Sequence, residues 1–164
     1  MKRNIGKRSD TKEEIALTKD EGIIKTILKE GKGDPIPPNV FVTVHYTGKL
    51  EDGKVFDSSF NRNQPFIFQV GKRNVILGWD IGVQSMKVGE RAILKCAPDY
   101  AYGKNGVSPV IPPNATLFFE VEVLEWSTKK DDGDQFFWIA MVVLAILAGV
   151  CYVVFDRMYP RVIR

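Results

Sequence analysis

Few side chains in this chain are placed for covalent or proton-transfer chemistry. Its single histidine, His45, has no cysteine or patterned carboxylate beside it, so it reads as a structural residue rather than a general base or metal ligand. Cys96 reads as a small core residue, and it cannot pair with Cys151 if the latter lies in a membrane helix. No metal or nucleotide motif occurs, so no cofactor is expected. Asp57, in the turn Phe56-Asp57-Ser58-Ser59, suits an ion pair with Arg62. Phe56, Phe66, Trp79 and Phe119 are, taken singly, core candidates, because large apolar side chains bury themselves in any fold.

The elements that must hold these residues are mostly strands. Short β-like runs separated by turn signals begin at Ile23-Ile24-Lys25-Thr26-Ile27-Leu28 and continue as Val40 to Tyr46, Pro65 to Val70, Arg91 to Ala97 and Thr116 to Trp126. Asp52-Gly53 suits a tight reversal, so the sheet is expected to be antiparallel. Alternation puts Val40, Val42, Val44 and Tyr46 on one face and Phe41, Thr43 and His45 on the other. One soluble helix is predicted over Val75 to Met86, where Ile76, Trp79, Val83 and Met86 fall at helical spacing. The fold class is therefore α+β, a twisted antiparallel sheet wrapped on one short helix. Residues 1–21 read as a flexible basic arm in which Glu13 to Leu17 forms at most a helical turn.

The stretch Val44-His45-Tyr46-Thr47-Gly48, with Glu51 to Ser59 after it, resembles the core signature of FKBP-type peptidyl-prolyl isomerases. The resemblance continues through Val75-Ile76-Leu77-Gly78-Trp79, Met86 to Arg91, Pro98-Asp99-Tyr100-Ala101-Tyr102-Gly103 and Ile111 to Leu117, covering residues 22–126. It implies a substrate- and drug-binding pocket of Tyr46, Phe56, Asp57, Arg62, Phe66, Val75, Ile76, Trp79, Tyr102, Ile111 and Phe119. Of these, Asp57, Tyr102, Trp79, Phe56 and Phe119 are implied as catalytic, with Trp79 as the floor under the proline ring. The Ile76 N–H and the Tyr102 hydroxyl would hold substrate carbonyls. Partners implied are proline-containing peptide segments, tacrolimus and rapamycin. The chain departs from the family pattern in the loop Lys104 to Val110 and at Asn74, where an acidic residue is common.

Such a pocket needs no nucleophile. The barrier to prolyl isomerisation, about 18–20 kcal/mol, is amide resonance, and the twisted transition state has lost it. An apolar pocket disfavours the dipolar planar amide relative to the twisted one, so desolvation accelerates the rotation.

Polar residues 127–135 read as a linker, and residues 136–155 are uncharged and apolar throughout. Twenty helical residues at about 1.5 Å each span about 30 Å, the hydrocarbon thickness of a bilayer, so a C-terminal transmembrane helix is expected. Trp138, Tyr152 and Tyr159 suit interfacial belts, and residues 156–164 form a short basic tail. With no apolar run near the N-terminus, the expectation is a tail-anchored, single-pass protein with a cytosolic domain, at the outer mitochondrial membrane or the endoplasmic reticulum. A formal charge of +3, from 23 Lys and Arg against 20 Asp and Glu, is too small and too dispersed for a nucleic-acid footprint. Two functions remain in view: an active isomerase that assists folding, or a non-enzymatic adaptor or co-chaperone that uses the pocket to grip a partner.

Overall fold

The β-strands follow the alternating runs because one face of each can be buried. The computed structural model describes residues 13–129, which form β1 (Glu14–Ala16), β2 (Ile23–Lys29), β3 (Phe41–Lys49), β4 (Val55–Ser58), β5 (Phe66–Gln69), α1 (Leu77–Gln84), β6 (Arg91–Cys96) and β7 (Leu117–Ser127). The sheet runs β1-β2-β6-β7-β3-β4, and every pairing is antiparallel. β3 carries β7 along one edge and shares the other, with β5 against Phe41 to Val44 and β4 against Thr47 to Lys49.

Period-two burial runs through the central strands: Val42, Val44 and Tyr46 on β3, Ala92, Leu94 and Cys96 on β6, Leu117, Phe119, Val121 and Val123 on β7. These side chains meet Trp79 and Val83 of α1 in one core. Each fully buried Val or Leu contributes roughly 1.5–3 kcal/mol of transfer free energy. Burial also pushes the Cys96 thiol up to about 12, so it behaves as a small apolar group.

The helix has eight residues, too few to persist alone, so packing must hold it. Gly78 and Gly82 allow this: a Cβ on Gly78 would lie 2.5 Å from Cys96 Sγ, and one on Gly82 would lie 2.5 Å from Leu94 Cδ1. Its far end is tied by a buried ion pair. Lys25 Nζ on β2 donates to Glu90 Oε1 at 3.0 Å and to the Ser85 carbonyl at 2.9 Å, and Glu90 Oε2 accepts the Lys87 N–H at 3.0 Å.

Several expectations need correction. Residues Glu14–Ala16 form a strand on β2, not a helical turn, because Ile15 and its neighbours satisfy backbone groups that an open β2 edge would leave unpaired. The following turn is also fastened, with the Tyr100 hydroxyl donating to the Asp20 carboxylate, so the ordered domain begins before residue 22. The helix starts at Leu77 rather than Val75, and β7 ends at Ser127. β4 adds a strand where the sequence showed only a turn. Among the described residues no helix is long and apolar enough to cross a membrane. The apolar segment 136–155, the tail 156–164 and most of the arm and linker lie outside the described residues.

Candidate functional site

Where α1 crosses the concave face, the sheet and helix leave a cavity of about 290 Å³. Its lining is Tyr46 from β3, Phe56 and Asp57 from β4, Phe66 from β5, Asn74, Val75 and Ile76 from the β5–α1 loop, Trp79 from α1, Tyr102 from the β6–β7 connection and Phe119 from β7. Nine of the eleven expected pocket residues are thus brought together around one space, all but Arg62 and Ile111. Ile111 is buried in the core cluster and bonds back to Val107 instead of lining the cavity. Arg62 stands outside the lining and acts on it through Asp57.

Trp79 is held by rings. Tyr46, Phe119 and Phe66 meet the indole edge-to-face at 4.9, 5.4 and 5.9 Å, and Phe68 tilts against it at 5.6 Å. Aromatic pairs at these separations add about 0.5–1.5 kcal/mol each beyond their burial. Trp79 Nε1 is buried without an oxygen or nitrogen acceptor. The surrounding ring faces are the weak acceptors that remain. Phe56 meets Phe119 edge-to-face at 5.6 Å, an approach that requires Gly48, since a Cβ there would lie 2.6 Å from the Phe56 ring.

The one charged lining residue is already partnered. Tyr46 and Arg62 both donate to the Asp57 carboxylate, and Arg62 Nη2 donates to the Tyr46 hydroxyl at 2.8 Å. Partial burial pushes the Asp57 carboxyl up, but the hydrogen bonds from Tyr46 and Arg62 outweigh it and hold the group below the usual carboxylate range. The Tyr46 phenol is raised by burial and by Asp57, and the Tyr102 phenol by burial and then by the Asp57 charge. His45 points to the other face of β3, where Nδ1 meets Ser59 Oγ at 2.9 Å and the ring stacks on Phe60 at 4.5 Å. Its role there is structural.

Sequence reasoning missed Asp80. This buried carboxylate on the first turn of α1 accepts the Gly71 N–H at 3.0 Å and the Arg73 N–H at 2.8 Å, in a loop whose Gly71 and Arg73 both have positive φ. It therefore shapes the loop that presents Asn74, Val75 and Ile76 to the cavity. A discernible signal was an acidic residue one turn into a helix that follows Gly-Lys-Arg-Asn. Bonds to a charged acceptor contribute about 1.5–3 kcal/mol. Asp80→Asn is accordingly expected to speed amide exchange at Gly71 and Arg73 at least about tenfold, as read by NMR, while amides of β7 keep their protection.

The Ile76 N–H donates to no group among the described residues, although it sits at the helix N-cap facing the lined space. A ring-walled cavity with the Ile76 N–H and the half-exposed Tyr102 phenol among its polar groups can partly desolvate and align an uncharged amide. Among the described residues no cluster of three His, Cys, Asp or Glu groups that could hold a metal ion occurs.

The profile of the family described as FKBP-type peptidyl-prolyl cis-trans isomerase matches residues 33–124, and the chain belongs to that family. It is 51% identical over 110 residues to FK506-binding protein 1A of Aspergillus fumigatus, covering 66% of this chain and 98% of that one. It is 55% identical over 122 residues to FK506-binding protein 59 of Drosophila melanogaster, covering 74% of this chain and 28% of the relative. Against peptidyl-prolyl cis-trans isomerase FKBP4 of Homo sapiens the identity is 49% over 127 residues, covering 73% and 27%. The chain thus spans little more than a quarter of these two longer relatives.

Proposed function

We propose that this protein is a peptidyl-prolyl cis-trans isomerase that catalyses rotation about X-Pro bonds in its aromatic cavity. The observation that carries the reading is the Trp79 floor, held by four rings beside a lining residue, Ile76, whose N–H donates to no group among the described residues. The proline ring rests on Trp79, walled by Tyr46, Phe66, Val75 and Phe119. The Ile76 N–H and the Tyr102 hydroxyl hold the carbonyls on either side, and Phe56 and Asp57 complete the wall toward β4. Water excluded from this space cannot solvate the planar amide's dipole, so the twisted form gains. The same cavity would take tacrolimus and rapamycin, a reading supported by relatives named for binding FK506.

An NMR exchange assay of the full chain with a short proline peptide tests this. Acceleration over the uncatalysed interconversion is expected, and a rate no greater than the uncatalysed one would leave the adaptor reading. Asp57→Ala should keep roughly half of the activity, because no step transfers a proton.

The pH profile is a second check. Asp57 titrates below its ordinary value, and Tyr46 and Tyr102 above theirs, so no lining group changes charge between about pH 5 and 9. kcat/KM should be flat over that window. Because the folded state favours the Asp57 carboxylate, its small, solvent-screened contribution to stability is present above about pH 4 and is lost as pH falls through the depressed value.

For the segment 136–155 we propose a single membrane span, supported by its length and lack of charge, with the domain on the cytosolic side at the outer mitochondrial membrane or endoplasmic reticulum. Asn114-Ala115-Thr116 fits a glycosylation acceptor, so a glycan on Asn114 would refute that orientation.

A further inference from the structure

Two of the segments that line the cavity carry charge of one sign. Residues 59–76, which supply Phe66, Asn74, Val75 and Ile76 to the lining, contain Arg62, Lys72 and Arg73 and no Asp or Glu. Residues 100–116, which supply Tyr102, contain Lys104 and no Asp or Glu. Lys72, Arg73 and Lys104 are all exposed. Among the described residues none of the three belongs to an ion pair.

The nearby carboxylates do not cancel them. Asp57 is matched by Arg62 and by the Tyr46 hydroxyl. Asp80 is buried beneath the loop, with both oxygens accepting backbone N–H groups. Asp99, three residues before Tyr102, is exposed and in no ion pair among the described residues, so one free carboxylate stands against the three cations. The excess in the two lining segments is therefore positive, and Asn74, next to Arg73, adds no charge.

Resting on the isomerase reading, we propose that the preferred substrates are proline segments flanked by acidic side chains, with Lys72, Arg73 and Lys104 setting the preference. Arg73 is one residue from the lining residue Asn74, Lys72 is two from it, and Lys104 is two from Tyr102. At 3.8 Å per step, the Cα atoms of all three lie within about 8 Å of the Cα of a lining residue. An extended peptide rises about 3.3 Å per residue, so side chains two or three positions from a seated proline pass over these loops. Opposite charge there raises local substrate concentration and the association rate, whereas basic flanks are repelled.

The test uses the full chain in non-ionic detergent and three peptides that share an Ala-Leu-Pro-Ala core with paired Glu, Gln or Lys at both ends. By NMR exchange at low ionic strength, kcat/KM should fall in the order Glu, Gln, Lys, with about tenfold between the extremes. In about 0.5 M salt the three should come within about twofold. Lys72→Glu, Arg73→Glu and Lys104→Glu combined should invert the order while leaving the Gln peptide unchanged. Lys72→Gln alone should narrow the ratio about twofold and serves if the triple variant does not accumulate. Equal turnover of the Glu and Lys peptides with the Gln peptide accelerated, or an order that survives the substitutions, overturns this proposal and leaves the isomerase standing. Failure to accelerate any of the three overturns both.

Discussion

Replacing Trp79 by alanine is expected to lower kcat/KM for a proline peptide at least about 100-fold, equivalent to roughly 2.7 kcal/mol at the transition state. Tacrolimus binding should become undetectable by calorimetric titration. The indole is 4% exposed and is the common partner of Tyr46, Phe66, Phe68 and Phe119, so its removal takes away the floor and the packing that keeps the walls upright. Water would then enter the space from which the proposed mechanism requires it to be excluded. The same substitution should reduce stability by about 3–5 kcal/mol, as for other buried aromatics cut to alanine. Activity must therefore be measured where near-ultraviolet dichroism shows the variant folded. Trp79→Phe, which keeps a smaller apolar floor, should fall between. Unchanged drug affinity in Trp79→Ala would mean that the cavity is not the binding site.

Lys25→Met is expected to be the most destabilising single change outside the cavity, costing about 3–5 kcal/mol in urea unfolding, because it strands a buried carboxylate. Glu90 is 1% exposed and Lys25 5%, and the ammonium also holds the Ser85 carbonyl at the end of α1. For a domain whose whole stability is about 5–15 kcal/mol, that loss takes a large share. Since the penalty is one of an unpaired charge, Lys25→Met combined with Glu90→Leu should recover most of it. A double variant as unstable as the single one would show that the hydrogen bonds to Ser85 and Lys87, rather than the charge, are what matters. Neither residue lines the cavity, so kcat/KM of the folded protein should stay within about twofold.

How much of this was legible beforehand depended on the range of the interaction. The alternation in Val42, Val44 and Tyr46 identified the buried face of β3, since period two is a local property of an extended chain. The helix was legible from Trp79 and Val83, but its ends were not: Ile76 caps its start without any side-chain hydrogen bond, and Met86 falls beyond the C-cap Ser85. β1 escaped notice because Glu14–Ala16 has no periodic signal and is a strand only by virtue of pairing with β2. Ile111 was placed in the pocket by the same resemblance as the other ten residues; it is buried and bridges to Val107, outside the lining of the cavity.

The sequence by itself determined the class of fold, the aromatic inventory of the cavity and the run of uncharged residues from 136 to 155, all of which follow from local pattern or from motifs in order. Tertiary structure alone decided which charges matter. Lys25 and Glu90 are 65 residues apart, and Asp80 meets Gly71 and Arg73 only once the helix lies on the sheet. The cost of burying a charge depends on what surrounds it, and no local pattern reports that. Beside the cavity the Asp57–Arg62 pair was legible in the sequence, but that Lys72, Arg73 and Lys104 have no ion-pair partner among the described residues was not.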